Sequence, residues 1–175
     1  MFEIRIHSRG GQGGVTASRL VALAAIHDGK HATACVFYSP QRRGAPVISF
    51  VRIDDSPVRI YSHIQNPDLV AILDKGLMET VDVFQKLKKG GKIFINSSEG
   101  KIFPGFSSIH ADLTQIAHRE HLVVAGYLIL NTPLLGAFAR MCVVSLDSAR
   151  KAIREMFPDP RNIRAAEAAY GEISP

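Results

Sequence analysis

The sequence is poor in the residues that hold metal centres. Only two of its 175 residues are cysteines, Cys35 and Cys142, and they lie far apart. There is no CxxC pair and no Cys/His spacing typical of a zinc site or an iron–sulfur cluster. We therefore expect this chain to hold no metal, and we expect both thiols to lie in the core of a protein from a reducing compartment.

The sequence also lacks a long uninterrupted apolar run. Residues 122–144 are largely apolar, but Asn131-Thr132-Pro133 interrupts them and Arg140 follows. A buried element, a loop and a buried helix therefore fit better than a membrane span. The first residues follow a strand-like pattern and not that of a secretory leader. We expect a cytoplasmic protein that does not contact a membrane.

Positive charge is concentrated in the first third of the chain. The formal net charge is +5, and residues 1–53 carry seven Arg or Lys residues against two Asp or Glu, whereas the remaining residues balance. A pI near 9.4 permits nucleic-acid binding, but there is no Trp and no recognised reading helix. We expect no nucleic acid, and instead a local site for an anion or an acidic partner.

Strand-like and helix-like segments alternate along the chain. We predict strands at residues 2–7, 32–38, 46–53, 58–61, 69–73 and 93–95, and helices between Thr16 and Gly29 and at residues 77–88, 113–121, 134–141, 146–157 and 163–170. The two strands within residues 46–61 form an antiparallel hairpin in this prediction. The alternation indicates one domain, residues 1–175, with a three-layer α/β/α fold. Its sheet is mostly parallel with one antiparallel hairpin, Rossmann-like but without a true dinucleotide fingerprint.

A glycine-rich turn, Arg9-Gly10-Gly11-Gln12-Gly13-Gly14, separates the first predicted strand from the first helix. Glycines let the backbone approach a ligand, and the free N–H groups of a helix start favour phosphate. Thr16 stands where a dinucleotide fingerprint has its third glycine, no acidic residue follows the second strand, and the Gly-Lys-Ser/Thr of a P-loop is absent. Gly11, Gln12 and Gly13 are therefore candidate anion-binding residues. The alternative is a turn that only packs the helix on the sheet.

A second basic loop follows the second predicted strand. Its adjacent Arg42 and Arg43 can bind a phosphate or a carboxylate through two parallel hydrogen bonds. If the sheet is parallel there, this loop lies at the same edge as the glycine-rich turn. The two loops then frame one anionic ligand or acidic surface. A solvated basic turn is the alternative.

No other cluster completes a catalytic or metal site. His118 and His121 lie three residues apart on a predicted helix with His110 nearby, but no thiolate or acid completes the set, and a solvated helix face fits better. There is no Gly-x-Ser-x-Gly elbow and no paired-carboxylate pattern. We expect neither a catalytic residue nor a metal ligand in this chain.

Five motifs in order resemble one family. They are Arg9-Gly10-Gly11-Gln12-Gly13, Arg42-Arg43-Gly44-Ala45-Pro46-Val47, Arg52-Ile53-Asp54-Asp55-Ser56-Pro57-Val58-Arg59, Asn66-Pro67-Asp68 and Asn131-Thr132-Pro133-Leu134-Leu135-Gly136-Ala137. Together they resemble the gamma subunit of pyruvate and related 2-oxoacid:ferredoxin oxidoreductases over nearly the whole chain. Two positions depart from the family pattern: Ser8 stands where glycine is usual, and Gln41 where an acidic residue is common.

The resemblance implies one polypeptide of a multi-subunit enzyme that oxidatively decarboxylates a 2-oxoacid, with pyruvate favoured. The assembled enzyme uses thiamine diphosphate and iron–sulfur clusters, passes electrons to ferredoxin and forms an acyl-coenzyme A. The implied partners are subunits of alpha, beta and delta type. The chain alone would hold no cofactor, would not turn over 2-oxoacids, and could self-associate through surfaces meant for partners. Its glycine-rich turn and arginine pair would face coenzyme A phosphates, partner subunits or both.

Two other hypotheses about the function stay open. A gamma subunit of a branched-chain or aryl 2-oxoacid oxidoreductase, acting on 2-oxoisovalerate or indolepyruvate, would share these motifs. A stand-alone NADP- or phospho-ligand-binding protein could use Arg42 and Arg43 to recognise a 2′-phosphate. Tight NADP binding by the lone chain would favour this second hypothesis.

Overall fold

The computed structural model describes residues 1–37, 44–100 and 103–173. Its strands are β1 Phe2–Arg9, β2 His31–Phe37, β3 Pro46–Asp54, β4 Leu69–Ile72, β5 Lys92–Asn96, β6 Ser107–Ala111, β7 Val123–Val124 and β8 Tyr127–Leu128. Its helices are α1 Gly14–His27, α2 Leu113–Arg119, α3 Asn131–Arg140, α4 Leu146–Met156 and α5 Arg161–Glu172, with a short 3₁₀ helix at Lys75–Glu79.

The first six strands form one sheet in the order β2-β3-β1-β4-β5-β6. β1, β4, β5 and β6 pair in parallel, and β3 lies antiparallel between β2 and β1. Five of the six strands therefore point the same way. The α/β class with a mostly parallel sheet is confirmed, and an antiparallel hairpin is present, formed by β7 and β8.

The hairpin predicted within residues 46–61 is wrong. Residues 58–61 form no strand, and β3 instead pairs with β2 and β1. The side chain of Arg52 explains the difference, because its Nη1 donates to the carbonyl oxygens of Ile60 at 3.3 Å and Ser62 at 2.8 Å. The carbonyls of this segment thus bind a guanidinium group and no neighbouring strand.

The helix predicted at residues 77–88 is also wrong. The chain forms the short 3₁₀ helix and then a series of turns, with Lys86 at a φ of 56°. Nη2 of Arg5 donates to the carbonyl oxygens of Val83 at 2.9 Å and Gln85 at 2.8 Å. A helix would use these carbonyls internally, so the buried arginine stabilises turns in its place. The layer on this face of the sheet is correspondingly thin.

The main core lies on the opposite face, where all five helices pack. Ile4 and Ile6 of β1 contribute to it together with the alanine-rich face of α1. α3 and α5 cross closely at Gly136, where an added Cβ would lie 1.9 Å from the carbonyl oxygen of Ala166. The glycine of the predicted Asn131–Ala137 motif is therefore a packing requirement. β6 was not predicted. It is an edge strand of the sheet and is only partly buried.

The strand order places a crevice at the C-terminal end of β1. The chain leaves β1 through α1 to reach β2 on one side of the sheet, and β4 later pairs with β1 on the other side. The loops that follow β1 and β4 therefore lead in opposite directions. Open α/β sheets bind ligands between two loops of this kind. Because β2 runs in the same direction as β1, its C-terminal end lies at this edge too, as expected.

Candidate functional site

The turn between β1 and α1 is closed by the side chain of Gln12. The backbone N–H of Gln12 donates to the carbonyl of Arg9 at 3.1 Å, and Gln12 Oε1 accepts from the N–H of Arg9 at 2.7 Å. The N–H of Leu130 donates to the Gln12 carbonyl at 3.0 Å, which joins the turn to the start of α3. Gln12 therefore shapes the turn, and its amide oxygen is not free for a ligand.

Gly11 and Gly13 meet two requirements at once. Their φ angles are +102° and +86°, in a region that residues with a Cβ rarely adopt. An added Cβ on Gly11 would lie 3.2 Å from the ring of Tyr127, and one on Gly13 would lie 3.1 Å from Ile129. These two glycines let the turn lie directly against the β7–β8 hairpin and the segment that follows it.

The N-terminus of α1 is open. This helix was predicted between Thr16 and Gly29, but it begins earlier, at Gly14. Gly13 is at its N-cap position, and it has no side-chain cap and no acidic residue in the first turn. Within the described residues, the N–H groups of Gly14, Val15 and Thr16 donate to no protein acceptor. Free N–H groups and the positive end of a 14-residue helix favour an anion at this position.

A cleft of about 400 Å³ opens beside this helix end. The residues that line it are Ser8, Arg9, Gly10, Gly11, Gly13, Gly14, Val15, Thr16, Val47, Val124, Ile129, Asn131 and Phe157. The lining thus combines the polar groups of the helix start with apolar side chains from β3, the β7–β8 hairpin and the segments around it. The arrangement suits a ligand with an anionic group and an apolar part.

The β7–β8 hairpin overhangs this cleft. Val123 and Val124 at its tip are 53% and 64% exposed, and Tyr127 is 37% exposed. Val124 lines the cleft, while the Tyr127 ring covers Gly11. The sequence prediction placed a buried element in this region, so the exposure of the tip is a correction. A contact between Gly11 and a residue 116 positions later leaves no local pattern by which it could be predicted.

Arg9 joins three loops at the edge of the cleft. Its Nε donates to Asp74 Oδ2 at 2.7 Å, and its Nη1 donates to the carbonyl of Gly44 at 3.3 Å. Asp74 Oδ1 in turn accepts from the N–H of Gly76 at 2.9 Å. Arg9 belongs to the predicted glycine-rich motif but was not among the candidate site residues. Its role depends on a partner 65 positions away.

The candidate residues Arg42 and Arg43 lie outside the described residues. The chain on their C-terminal side is described, and it contacts the glycine-rich turn. The N–H of Gly44 donates to the carbonyl of Gly10 at 3.2 Å, and the N–H of Gly10 donates to the carbonyl of Ala45 at 2.9 Å. The structure therefore brings together Gly11, Gln12, Gly13 and the end of the second basic loop.

Three of the seven cations in residues 1–53 have partners away from the cleft. Arg5 and Arg52 are 6% and 3% exposed. Arg5 binds turn carbonyls, as described above, and Arg52 Nε donates to Glu3 Oε1 at 2.9 Å. Lys30 forms an exposed ion pair with Asp55. These cations stabilise the fold, so the charge excess of the segment is only partly available to a ligand.

His7 adds no positive charge near the cleft. It lies on β1 and is 3% exposed. Burial, together with the neighbouring charge of Arg5, lowers the pKa of His7 to about 3. The imidazole is therefore neutral at physiological pH.

The described residues contain no group of three or more His, Cys, Asp or Glu side chains placed to hold a metal ion. Both cysteines are free, and Cys142 is exposed, which corrects the expectation that both thiols lie in the core. None of the helices in residues 1–37, 44–100 and 103–173 has the length and apolar character that a membrane span requires.

Comparison with known proteins places the chain among relatives that match it nearly end to end. It is 48% identical to the pyruvate synthase subunit PorC of Methanothermobacter thermautotrophicus, over 99% of this chain and 96% of the relative. It is 42% identical to the pyruvate/ketoisovalerate oxidoreductases common subunit gamma of Thermococcus kodakarensis, over 98% and 97% of the two chains. The crystal structure of pyruvate oxidoreductase subunit PORC from Thermotoga maritima superposes with a TM-score of 0.83, at 34% identity over 99% of this chain and 97% of that one.

The family comparison agrees with the resemblance of the five motifs. Residues 3–172 match the family described as pyruvate ferredoxin/flavodoxin oxidoreductase. The chain belongs to this family, as the gamma subunit of a pyruvate- or 2-oxoacid-oxidising, multi-subunit oxidoreductase.

Proposed function

We propose that the cleft beside α1 is the coenzyme A-binding surface of a pyruvate-type oxidoreductase, with a phosphate of coenzyme A at the helix start. The observation that carries this proposal is the open N-terminus of α1, with the N–H groups of Gly14, Val15 and Thr16 beside the cleft. Apolar side chains form much of the remaining lining of the cleft. Coenzyme A carries a 3′-phosphate, a pyrophosphate and a long uncharged arm. Its chemistry therefore matches both the helix start and the apolar lining.

The second basic loop supports the same site. Arg42 and Arg43 immediately precede Gly44 in the sequence, and Gly44 is hydrogen-bonded to the glycine-rich turn. Two guanidinium groups next to free helix N–H groups would bind a phosphate more strongly than either feature alone. We therefore assign Gly11, Gln12 and Gly13 to the shape of the turn that leaves the helix start open, and Arg42 and Arg43 to the phosphate.

The remaining chemistry belongs to other chains of the complex in this proposal. With two separate cysteines, this chain cannot supply the ligands of an iron–sulfur cluster. We assign the clusters and thiamine diphosphate to subunits of alpha, beta and delta type, which transfer electrons to ferredoxin. This chain alone is then inactive on 2-oxoacids, and the assembled enzyme is cytoplasmic.

The identity of the 2-oxoacid is a separate question. The name of one relative covers both pyruvate and ketoisovalerate, which supports a gamma chain that does not itself select the 2-oxoacid. We favour pyruvate because the relatives of M. thermautotrophicus and T. maritima carry that substrate in their names.

Calorimetric titration of the purified chain with coenzyme A tests the site. We expect saturable, salt-sensitive binding that weakens about tenfold or more when Arg42→Gln and Arg43→Gln are combined. A matched control, Arg59→Gln with Lys89→Gln, removes two exposed cations outside the cleft and should leave the affinity unchanged.

Two further titrations sharpen this test. Weaker binding of dephospho-coenzyme A than of coenzyme A would place the 3′-phosphate at the helix start, and equal binding would place the pyrophosphate there. Tighter binding of NADP than of coenzyme A would overturn the proposal in favour of a dinucleotide site. The proposal would also be overturned by two results together: no binding of coenzyme A by the chain, and an unchanged KM for coenzyme A in the assembled enzyme that carries Arg42→Gln and Arg43→Gln.

A further inference from the structure

The hydroxyl of Ser8 is buried without a hydrogen-bond partner. Ser8 lies at the C-terminal end of β1 and is 1% exposed, and its Oγ binds no donor or acceptor among the described residues. A buried hydroxyl without a partner destabilises a folded protein, because the loss of its hydrogen bonds to water is not compensated. A persistent cost of this kind at a cleft requires an explanation.

The Ser8 Oγ is directed at the start of α1. An added Cβ on Gly14 would lie 2.2 Å from this oxygen, so the hydroxyl occupies the space that the missing side chain leaves. Ser8 and its cross-strand neighbour Val47 both line the cleft. The hydroxyl is therefore a buried group of a residue that lines the cleft, and it lies next to Gly14 in the first turn of α1.

No acceptor in residues 1–37, 44–100 and 103–173 satisfies the hydroxyl as a donor. The first turn of α1 carries no acidic residue. Asp74, which follows β4 at this edge of the sheet, already accepts from Arg9 and from the N–H of Gly76. An anion bound at the helix start would supply the missing acceptor.

We propose that Ser8 is a ligand-binding residue whose hydroxyl donates to a phosphate oxygen held by the N–H groups of Gly14, Val15 and Thr16. This inference rests on the proposed function, because the phosphate belongs to coenzyme A. It adds a side-chain donor to the backbone N–H groups of the helix start. It also assigns Gly14 the role of leaving room for that donor.

A second serine on the same face of the sheet provides an internal control. Ser49 of β3 is 0% exposed, and its Oγ also has no partner among the described residues. It pairs with Ile6 and does not line the cleft. Ser49→Ala thus removes the same kind of atom from the same layer without altering the proposed site.

The test compares coenzyme A binding by the wild-type chain with that of Ser8→Ala, Ser8→Gly, Ser8→Thr and Ser49→Ala. We expect Ser8→Ala and Ser8→Gly to raise the Kd for coenzyme A about tenfold or more, because a hydrogen bond to a charged group is lost. Ser49→Ala should bind as the wild type does, and Ser8→Thr, which keeps the hydroxyl, should bind more tightly than Ser8→Ala. Thermal melts of all variants verify that each one is folded.

The possible failures can be told apart. If the wild-type chain binds coenzyme A and the two variants that lack the hydroxyl bind it equally well, the assignment of Ser8 is overturned and the proposed function stands. If the wild-type chain shows no affinity for coenzyme A, and combining Arg42→Gln with Arg43→Gln leaves the KM for coenzyme A of the assembled enzyme unchanged, the proposed function falls and the assignment of Ser8 falls with it. Equal weakening in Ser8→Ala and Ser49→Ala would also contradict the assignment, because it would report a general effect on the β-sheet.

Discussion

Arg9 Nε donates to Asp74 Oδ2 at 2.7 Å, and this ion pair joins the loop after β1 to the loop after β4. The same guanidinium group reaches the carbonyl of Gly44, at the end of the second basic loop. Three loops that are distant in sequence are thereby held together where the strand order of the sheet diverges. The candidate cleft opens at this junction.

We expect the Arg9–Asp74 pair to stabilise the site more than the fold. Both side chains are partly exposed, so their pairing contributes on the order of 0.5–1 kcal/mol. Arg9→Gln, Asp74→Asn and the double variant form a cycle in which the losses of coenzyme A affinity should be smaller together than their sum. Strictly additive losses in this calorimetric cycle would show that the two residues do not act as a unit.

Gly13→Ala should affect both stability and binding. A Cβ at a φ of +86° costs about 1–2 kcal/mol, and the contact with Ile129 adds to this cost. Gly29→Ala is the matched control, because Gly29 has a φ of +77° with no atom within 4 Å of the added Cβ. Chemical denaturation should show a larger loss for Gly13→Ala, and only this variant should bind coenzyme A more weakly. Equal behaviour of the two variants would contradict a special role for the turn.

The crossing of α3 and α5 depends on Gly136. Gly136→Ala should lower the free energy of unfolding by roughly 1–3 kcal/mol or more, because the added methyl group would overlap the Ala166 carbonyl. Gly171→Ala, in α5 with open space around the added Cβ, should instead raise stability by about 0.5–1 kcal/mol through helix propensity. If both variants changed the free energy of unfolding by a similar amount and in the same direction, the crossing of α3 and α5 at Gly136 would not be tightly packed.

His7 should make the fold sensitive to mild acid. Its pKa is about 3 in the folded chain, against an ordinary value of 6.5, so the unfolded chain binds an extra proton between these values. The stability that results is complete above pH 6.5 and is lost as the pH falls toward 3, by at most about 1.4 kcal/mol per pH unit.

Urea denaturation between pH 7 and pH 4.5 tests this dependence. His7→Leu should flatten the pH profile of the free energy of unfolding, whereas the exposed His31→Gln should leave its slope unchanged. An unchanged slope in His7→Leu would show that another group titrates in this window.

Local pattern was sufficient to predict most of the regular structure. The apolar spacing of α1 and α4 and the all-apolar run of β4 depend on neighbours in sequence, and these elements lie where they were expected. The two wrong predictions, the hairpin within residues 46–61 and the helix at residues 77–88, both involve buried arginines. Arg5 and Arg52 donate to turn carbonyls up to 80 positions away. Periodicity favoured a helix in the segment that Arg5 contacts, and alternation favoured a strand next to the one that Arg52 contacts, but neither element forms. The sequence shows no such distant partners.

The candidate site could be predicted in part for the same reason. Gly11 and Gly13 were identifiable because a glycine-rich turn before a helix has a direct physical meaning. The contributions of Arg9 and Tyr127 could not be predicted, since each depends on a contact with a distant segment. Ser8 was visible only as a departure from the family pattern, and its burial at the helix start gives that departure a role.

Binding of a coenzyme A phosphate by the first turn of α1 can be observed at individual backbone amides. The most direct measurement is a two-dimensional ¹H–¹⁵N NMR titration of the labelled chain with coenzyme A. We expect the amide resonances of Gly14, Val15 and Thr16 to shift the most and to saturate together, while those of α5 remain unchanged. Saturable binding that leaves these three amides unperturbed would show that the phosphate does not bind at the start of α1.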